Sequence, residues 1–213
     1  MGLKLLRKTR DLKQRIGKKY DNEQFWIAFG ENYYDKYKNK KDWVKKQESL
    51  LLPELKKLDF NSILEFGCGF GRLTKILAEN FNLTKYDAFD ISKGQIDNAK
   101  KYCSGHKINF SVGSIADFQS DFTYDLVLGP EILLHIEPKD IEFVIQKMSR
   151  FASKYFIQTG SPYNPHQKIH KATHTFYHDY ESIYQRVGLP KAKIIPVNDI
   201  NQIHILELNK STI

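Results

Sequence analysis

From residue 62 to residue 159 the apolar residues of this chain keep changing period, and that alternation limits its fold more than any other feature. The runs SILEF, YDAFD, INFSV, YDLVL and KYFIQT are short and apolar, and between them lie helical stretches starting near Arg72, Lys93 and Lys139. Strands that alternate with helices pair in parallel and need both faces covered, so the pattern predicts an α/β chain with a doubly wound sheet. Later, HDYESIYQRVGL reads as a helix ended by Gly188 and Pro190, followed by strands at KIIPV and QIHILEL. Residues 21–58, rich in aromatic and charged side chains, read as helices preceding the sheet. A length of 213 residues with 41% hydrophobic content suits one compact domain. Within it, residues 1–58 form a basic arm and helical lid, and residues 59–213 form the sheet domain.

The net charge of +8 raises the question of a nucleic-acid surface, and its distribution answers it. Residues 1–20 hold eight Lys or Arg against Asp11 alone, which accounts for all but one unit of the excess. A basic arm on a nearly neutral body lacks the spread of positive charge that tracking phosphates demands. Leu5, Leu12 and Ile16 give this arm an amphipathic spacing, which leaves open a solvated helix or weak contact with a membrane surface or acidic partner. No run reaches the roughly 18 to 20 apolar residues that span a bilayer, and no signal-peptide pattern opens the chain, so the expected location is cytoplasmic. Cys68 and Cys103 have no metal-ligand spacing and are expected to be reduced thiols.

The sharpest motif is Glu65-Phe66-Gly67-Cys68-Gly69-Phe70-Gly71, placed after an apolar run and before the helical RLTKILAEN. Glycines at alternate positions let a backbone turn sharply and approach a ligand closely, although a tight strand-to-helix turn asks for the same residues. Nineteen residues after Gly71 the second strand ends at Asp90, where an acid can accept the hydroxyls of a ribose. A dinucleotide loop needs Gly-x-Gly-x-x-Gly; here the third glycine comes one residue early and Arg72 follows. Glu65 would repel a pyrophosphate but suits a cofactor carrying an amino group and a sulfonium. The loop therefore argues for S-adenosylmethionine over a nicotinamide dinucleotide.

Residues 62–135 resemble the class I S-adenosylmethionine-dependent methyltransferases. SILEFGCGFGRLTKIL is similar to the first motif of that family, AFDISKGQIDNAKK to the second, FSVGSIADF to the third and YDLVLGPEILLHI to the fourth. The resemblance implies a Rossmann-like, mostly parallel seven-stranded sheet closed by an antiparallel hairpin, KIIPV and QIHILEL, so that residues 59–213 would be the methyltransferase domain. It also implies that Glu65, Gly67, Gly69 and Gly71 surround the methionine part of the cofactor. Asp90 would hold the ribose, Ile91 and Ile115 would sandwich the adenine, and Ser114 would stand at its edge, where many of the resembled enzymes carry an acid.

Methyl transfer from a sulfonium is an in-line displacement that mainly requires positioning and dryness, with a base useful for hydroxyl or ammonium acceptors. His135 follows the fourth strand at the sheet edge where ligands bind and is the leading candidate base, the alternative being a histidine that packs beside the cofactor. Glu131 is similarly placed. His166, His170, His174 and His178 recur every four residues, which on a continuous helix would put them on one face. The absence of an acidic ligand among the first three argues against a metal site and leaves a substrate pocket or ordinary loop histidines. His178, with Asp179 and Tyr180, is the second catalytic candidate; Tyr33, Tyr34 and Tyr37 are candidates for a lid. The Asn/Asp-Pro-Pro-Tyr signature of amide and base methylation is replaced by Gly129-Pro130-Glu131-Ile132, and no Pro-Cys nucleophile is present. The expected function is methylation of an oxygen or nitrogen of a small molecule, sugar or glycan intermediates being favoured. An RNA methyltransferase using the basic arm and a non-catalytic cofactor-binding subunit are the alternatives.

Overall fold

The computed structural model describes residues 21–30, 34, 42–161, 174–199 and 201–208. Two helices, α1 (Asn22–Gly30) and α2 (Asp42–Leu55), precede an alternating series: β1 (Ser62–Phe66), α3 (Arg72–Asn80), β2 (Lys85–Asp90), α4 (Lys93–Tyr102), β3 (Asn109–Val112) and β4 (Tyr124–Pro130). A 3-10 turn at Leu133–His135 leads to α5 (Ile141–Ser149), β5 (Ala152–Gly160), α6 (Tyr180–Arg186), β6 (Lys193–Asn198) and β7 (Asn201–Glu207). The strands lie in one sheet in the order β3-β2-β1-β4-β5-β7-β6. β1 to β5 are parallel, and β7 is antiparallel to both β5 and β6, which gives the closing hairpin expected from the sequence.

Alternation along the central strands divides the core into two layers. Ile63, Leu126, Leu128 and Ile157 pack with Leu51 and Leu55 of α2 and Leu73 and Leu77 of α3. Leu64, Phe66, Val127 and Phe156 face the other way, onto Ile145 and Met148 of α5 and Ile183 and Tyr184 of α6. β1 is buried along its whole length, as a strand covered on both faces must be. Local signals set the helix starts: the Ser92 hydroxyl accepts the Gln95 amide and the Asp179 carboxylate accepts the Ser182 amide. α5 begins two residues later than the predicted Lys139.

The order of strands reverses between β1 and β4, the switch point outside whose carboxyl ends an open α/β sheet forms its ligand crevice. Residues 175–179 have no regular structure, so His174 and His178 do not share a helical face; His166 and His170 lie outside the described residues, as do Tyr33, Tyr37 and the basic arm. Among the described residues there is no group of His, Cys, Asp and Glu able to hold a metal, and no helix long and apolar enough to cross a membrane.

Candidate active site

The crevice is built around the glycine loop that joins β1 to α3. Gly67, Gly69 and Gly71 have φ of 67°, 58° and 86°, a left-handed region that only glycine enters without cost. Each holds its place for a different reason. A β-carbon at Gly67 would stand 2.0 Å from Ile132 Cγ2, and one at Gly71 would stand 2.7 Å from Cys103 Sγ and 3.3 Å from the Ala99 backbone. At Gly69 it would meet only Gln95 Nε2, at 3.9 Å, so this is the open point of the loop, where a ligand can come against the backbone. Gly71 serves the packing of α3 on α4.

Asp90, at the end of β2, ties this loop to the next one. Its Oδ2 accepts the Gly69 amide at 2.9 Å and its Oδ1 accepts the Ser92 amide at 2.8 Å. Burial pushes its pKa up, opposed by the amides of Ser92 and Gly69. Each oxygen keeps a second lone pair, the capacity that a vicinal ribose diol requires. Glu65, fully buried, takes the Thr74 and Tyr86 hydroxyls on one oxygen at 2.7 Å each, while its Oε1 has no hydrogen-bond partner. Burial raises its pKa as well. Gln95 Oε1 is a second buried acceptor without a donor. An open glycine, an acid at the end of the second strand and unmatched buried acceptors fit a nucleoside bearing an ammonium group. Ile91 and Ile115 lie half-buried in the loops after β2 and β3.

Ser114 is buried, and its hydroxyl donates to Glu23 Oε1 on α1, a partner 91 residues away. α1 also meets the other end of the crevice, where the Trp26 ring lies 4.5 Å from His135 and Phe25 stacks on His174 at 4.5 Å. His135 Nδ1 is 2.6 Å from the carbonyl of His174. A carbonyl only accepts, so Nδ1 carries the proton and Nε2 is the basic nitrogen of the neutral ring. His178 is buried and turned to the chain itself, its Nε2–H donating to the Ile136 carbonyl at 3.0 Å. Tyr180 is buried with its hydroxyl unpartnered, and Tyr34 packs edge-on against Phe70 of the glycine loop, 5.2 Å between centroids.

At the carboxyl end of β4, Glu131 has φ of 59°, a rare and costly conformation for a residue with a side chain. Its Oε1 accepts from Gln47 Nε2 at 2.9 Å, Thr159 Oγ1 at 3.0 Å and Asn201 Nδ2 at 2.8 Å. Asn201 Oδ1, also buried, has no donor. Gln47 extends the network toward the glycine loop by accepting from Arg72, which is paired with Glu48. Sequence reasoning missed Glu23, Gln47, Gln95, Thr159 and Asn201. Gln47 carried a signal: it shares the buried stripe of α2 with Val44, Leu51 and Leu55, and a polar residue on such a stripe needs a partner.

Residues 63–154 match the protein family described as "Methyltransferase domain". The chain is 31% identical over 120 residues to malonyl-[acyl-carrier protein] O-methyltransferase of Priestia megaterium, covering 55% of this chain and 40% of that protein. It is 37% identical over 78 residues to the ubiquinone biosynthesis O-methyltransferase of Rickettsia felis, covering 35% and 31% respectively. The matches thus span less than half the length of these relatives. Among solved structures, magnesium protoporphyrin IX methyltransferase from Synechocystis PCC 6803 with bound S-adenosylmethionine superimposes with a TM-score of 0.69 at 15% identity, covering 91% of this chain and 100% of that one. Residues 63–154 therefore belong to the methyltransferase domain family, within a chain that has the class I S-adenosylmethionine-dependent methyltransferase fold.

Proposed function

We propose that this chain transfers the methyl group of S-adenosylmethionine to an oxygen or nitrogen of a small molecule in the cytoplasm, with a hydroxyl of a sugar or glycan intermediate as the favoured acceptor. The observation that carries this reading is Asp90, bonded at once to the Gly69 amide and the Ser92 amide beside the unmatched oxygen of Glu65. The names of the curated relatives favour oxygen. When bound, S-adenosylmethionine supplies an electrophilic methyl group on a sulfonium.

The residues of the chain supply position and proton acceptance. Asp90 holds the ribose hydroxyls, and Glu65, with a lone oxygen in a buried setting, meets the ammonium. At the other end of the crevice, Glu131 has one oxygen committed to neutral donors, which leaves the second to take a hydrogen from the acceptor. His135, its Nδ1 proton given to a backbone carbonyl, presents Nε2 as base, a contribution of roughly 10²- to 10⁴-fold. His178 is a positioning residue: its bond to Ile136 fixes the segment that follows His174.

Titration calorimetry with S-adenosylhomocysteine tests the site. Asp90→Ala should weaken binding by about 1–3 kcal/mol, roughly 5- to 150-fold. An unchanged affinity removes Asp90 from the site. His135→Ala should lower turnover of a hydroxyl acceptor while leaving that affinity within twofold; full turnover in the variant removes His135 as base.

A further inference from the structure

The contact between Glu23 and Ser114 joins two segments that share no motif, and its hydrogen bonding has a direction. The Ser114 hydroxyl accepts the Ala116 amide at 3.1 Å and has one proton of its own, which goes to Glu23 Oε1. A serine hydroxyl alone accepts or donates with equal ease. With its proton held by Glu23, the Ser114 hydroxyl has no proton left to donate, and the pair acts toward a ligand as an acceptor. The second oxygen of Glu23 receives no hydrogen bond from any described residue, and no described Lys or Arg forms an ion pair with it. The serine is buried whereas the glutamate is exposed, so a fixed hydroxyl orients an otherwise mobile acid.

The place of this pair follows from the sheet. The Gly113 amide donates to the Asp90 carbonyl at 3.0 Å, so Ser114 begins one residue beyond a direct bond to the ribose acid. A base attached to a ribose on Asp90 reaches this turn. α1 is seated here by a second contact, because Gly30 packs so closely on the β2–α4 loop that a β-carbon would stand 2.2 Å from Ser92 Oγ.

We propose that Glu23 accepts the exocyclic amino group of the cofactor's adenine, with Ser114 as its positioning residue, so that α1 sets the preference for a 6-amino over a 6-oxo purine. This rests on the nucleoside reading of the site given above. An adenine offers two N–H donors at position 6; a hypoxanthine offers a carbonyl oxygen that a carboxylate repels. The acid needed at this edge comes from the N-terminal helix and not from the loop after β3.

The test is the ratio of affinities of the full chain for S-adenosylhomocysteine and S-inosylhomocysteine, measured by titration calorimetry. The wild type should prefer the adenine form at least tenfold, and Glu23→Gln, which restores a donor at that edge, should cut the preference at least fivefold. Ser114→Ala, which frees the acid from its anchor, should cut it as well. Glu23 is exposed, so the folded state of the variant is checked by an unshifted melting temperature. If Glu23→Gln binds with an unchanged ratio, the assignment of Glu23 is overturned while the nucleoside site stands. If the wild type binds neither compound, the nucleoside site itself is wrong and this inference falls with it.

Discussion

Three glycines with positive φ lie within five residues of the loop after β1, yet an added methyl group would have a different consequence at each. Gly69→Ala should cost folding only the left-handed penalty of about 1–2 kcal/mol, because nothing but Gln95 Nε2 lies near. Gly67→Ala should cost more, since Ile132 Cγ2 would have to move from 2.0 Å. The variants should also differ in kind: Gly69→Ala should retain most of its melting temperature and lose S-adenosylhomocysteine binding, whereas Gly67→Ala should lose both. If Gly69→Ala binds normally, the ligand does not approach at that point. The loop and its acid at Asp90 were legible in the sequence because their spacing is local and each residue type has a backbone reason to be there. Glu23 and Asn201 were not legible, because their meaning comes from contacts with Ser114 and Glu131, far along the chain.

The elements were readable where period and length agreed. β1, β2, β4 and β5 appeared as apolar runs because the sheet is covered on both faces, and the last two strands appeared as apolar runs whose pairing as a hairpin only the family resemblance implied. The four-residue histidine spacing carried little structural meaning for a physical reason: periodicity implies a shared face only on a continuous helix, and residues 175–179 have no regular structure. α1 lies in the segment that the sequence marked only broadly as a helical lid. It touches Ser114 through Glu23, Ser92 through Gly30, and the His135–His174 pair through Phe25 and Trp26, so it crosses the crevice from one pole to the other. Gly30→Ala should lift its end from the β2–α4 loop. Amide hydrogen exchange across residues 22–30 should then rise and S-adenosylhomocysteine affinity should fall severalfold. Exchange identical to wild type would show that the seat tolerates the methyl group.

At the scale of the molecule, stability should carry an acid-side slope set by His204. This ring lies between β7 and α6, with Nε2 2.6 Å from Gln202 Nε2 and Nδ1 3.3 Å from Tyr184 Oη. Burial lowers its pKa from 6.5 to about 4. The folded chain therefore refuses a proton that the unfolded chain accepts below pH 6.5. Its contribution is intact above that value and is lost as pH falls from 6.5 toward 4, by as much as about 3 kcal/mol. Thermal melts of wild type and His204→Gln between pH 7.5 and 4 should converge as the pH drops, and curves that stay parallel would show that His204 takes up its proton equally well in the folded and unfolded chain.

Glu131 gathers donors from α2, β5 and β7, contributed by Gln47, Thr159 and Asn201. These bonds join residues as many as 84 positions apart, so the network assembles from contacts whose loop-closure entropy is paid only when both flanks have docked on the central strands. In kinetic terms, the glycine loop and Asp90 can form from local βαβ units, while the Glu131 network and the Glu23–Ser114 contact wait for segments far along the chain. During refolding, capture of the cofactor should therefore precede the first turnover.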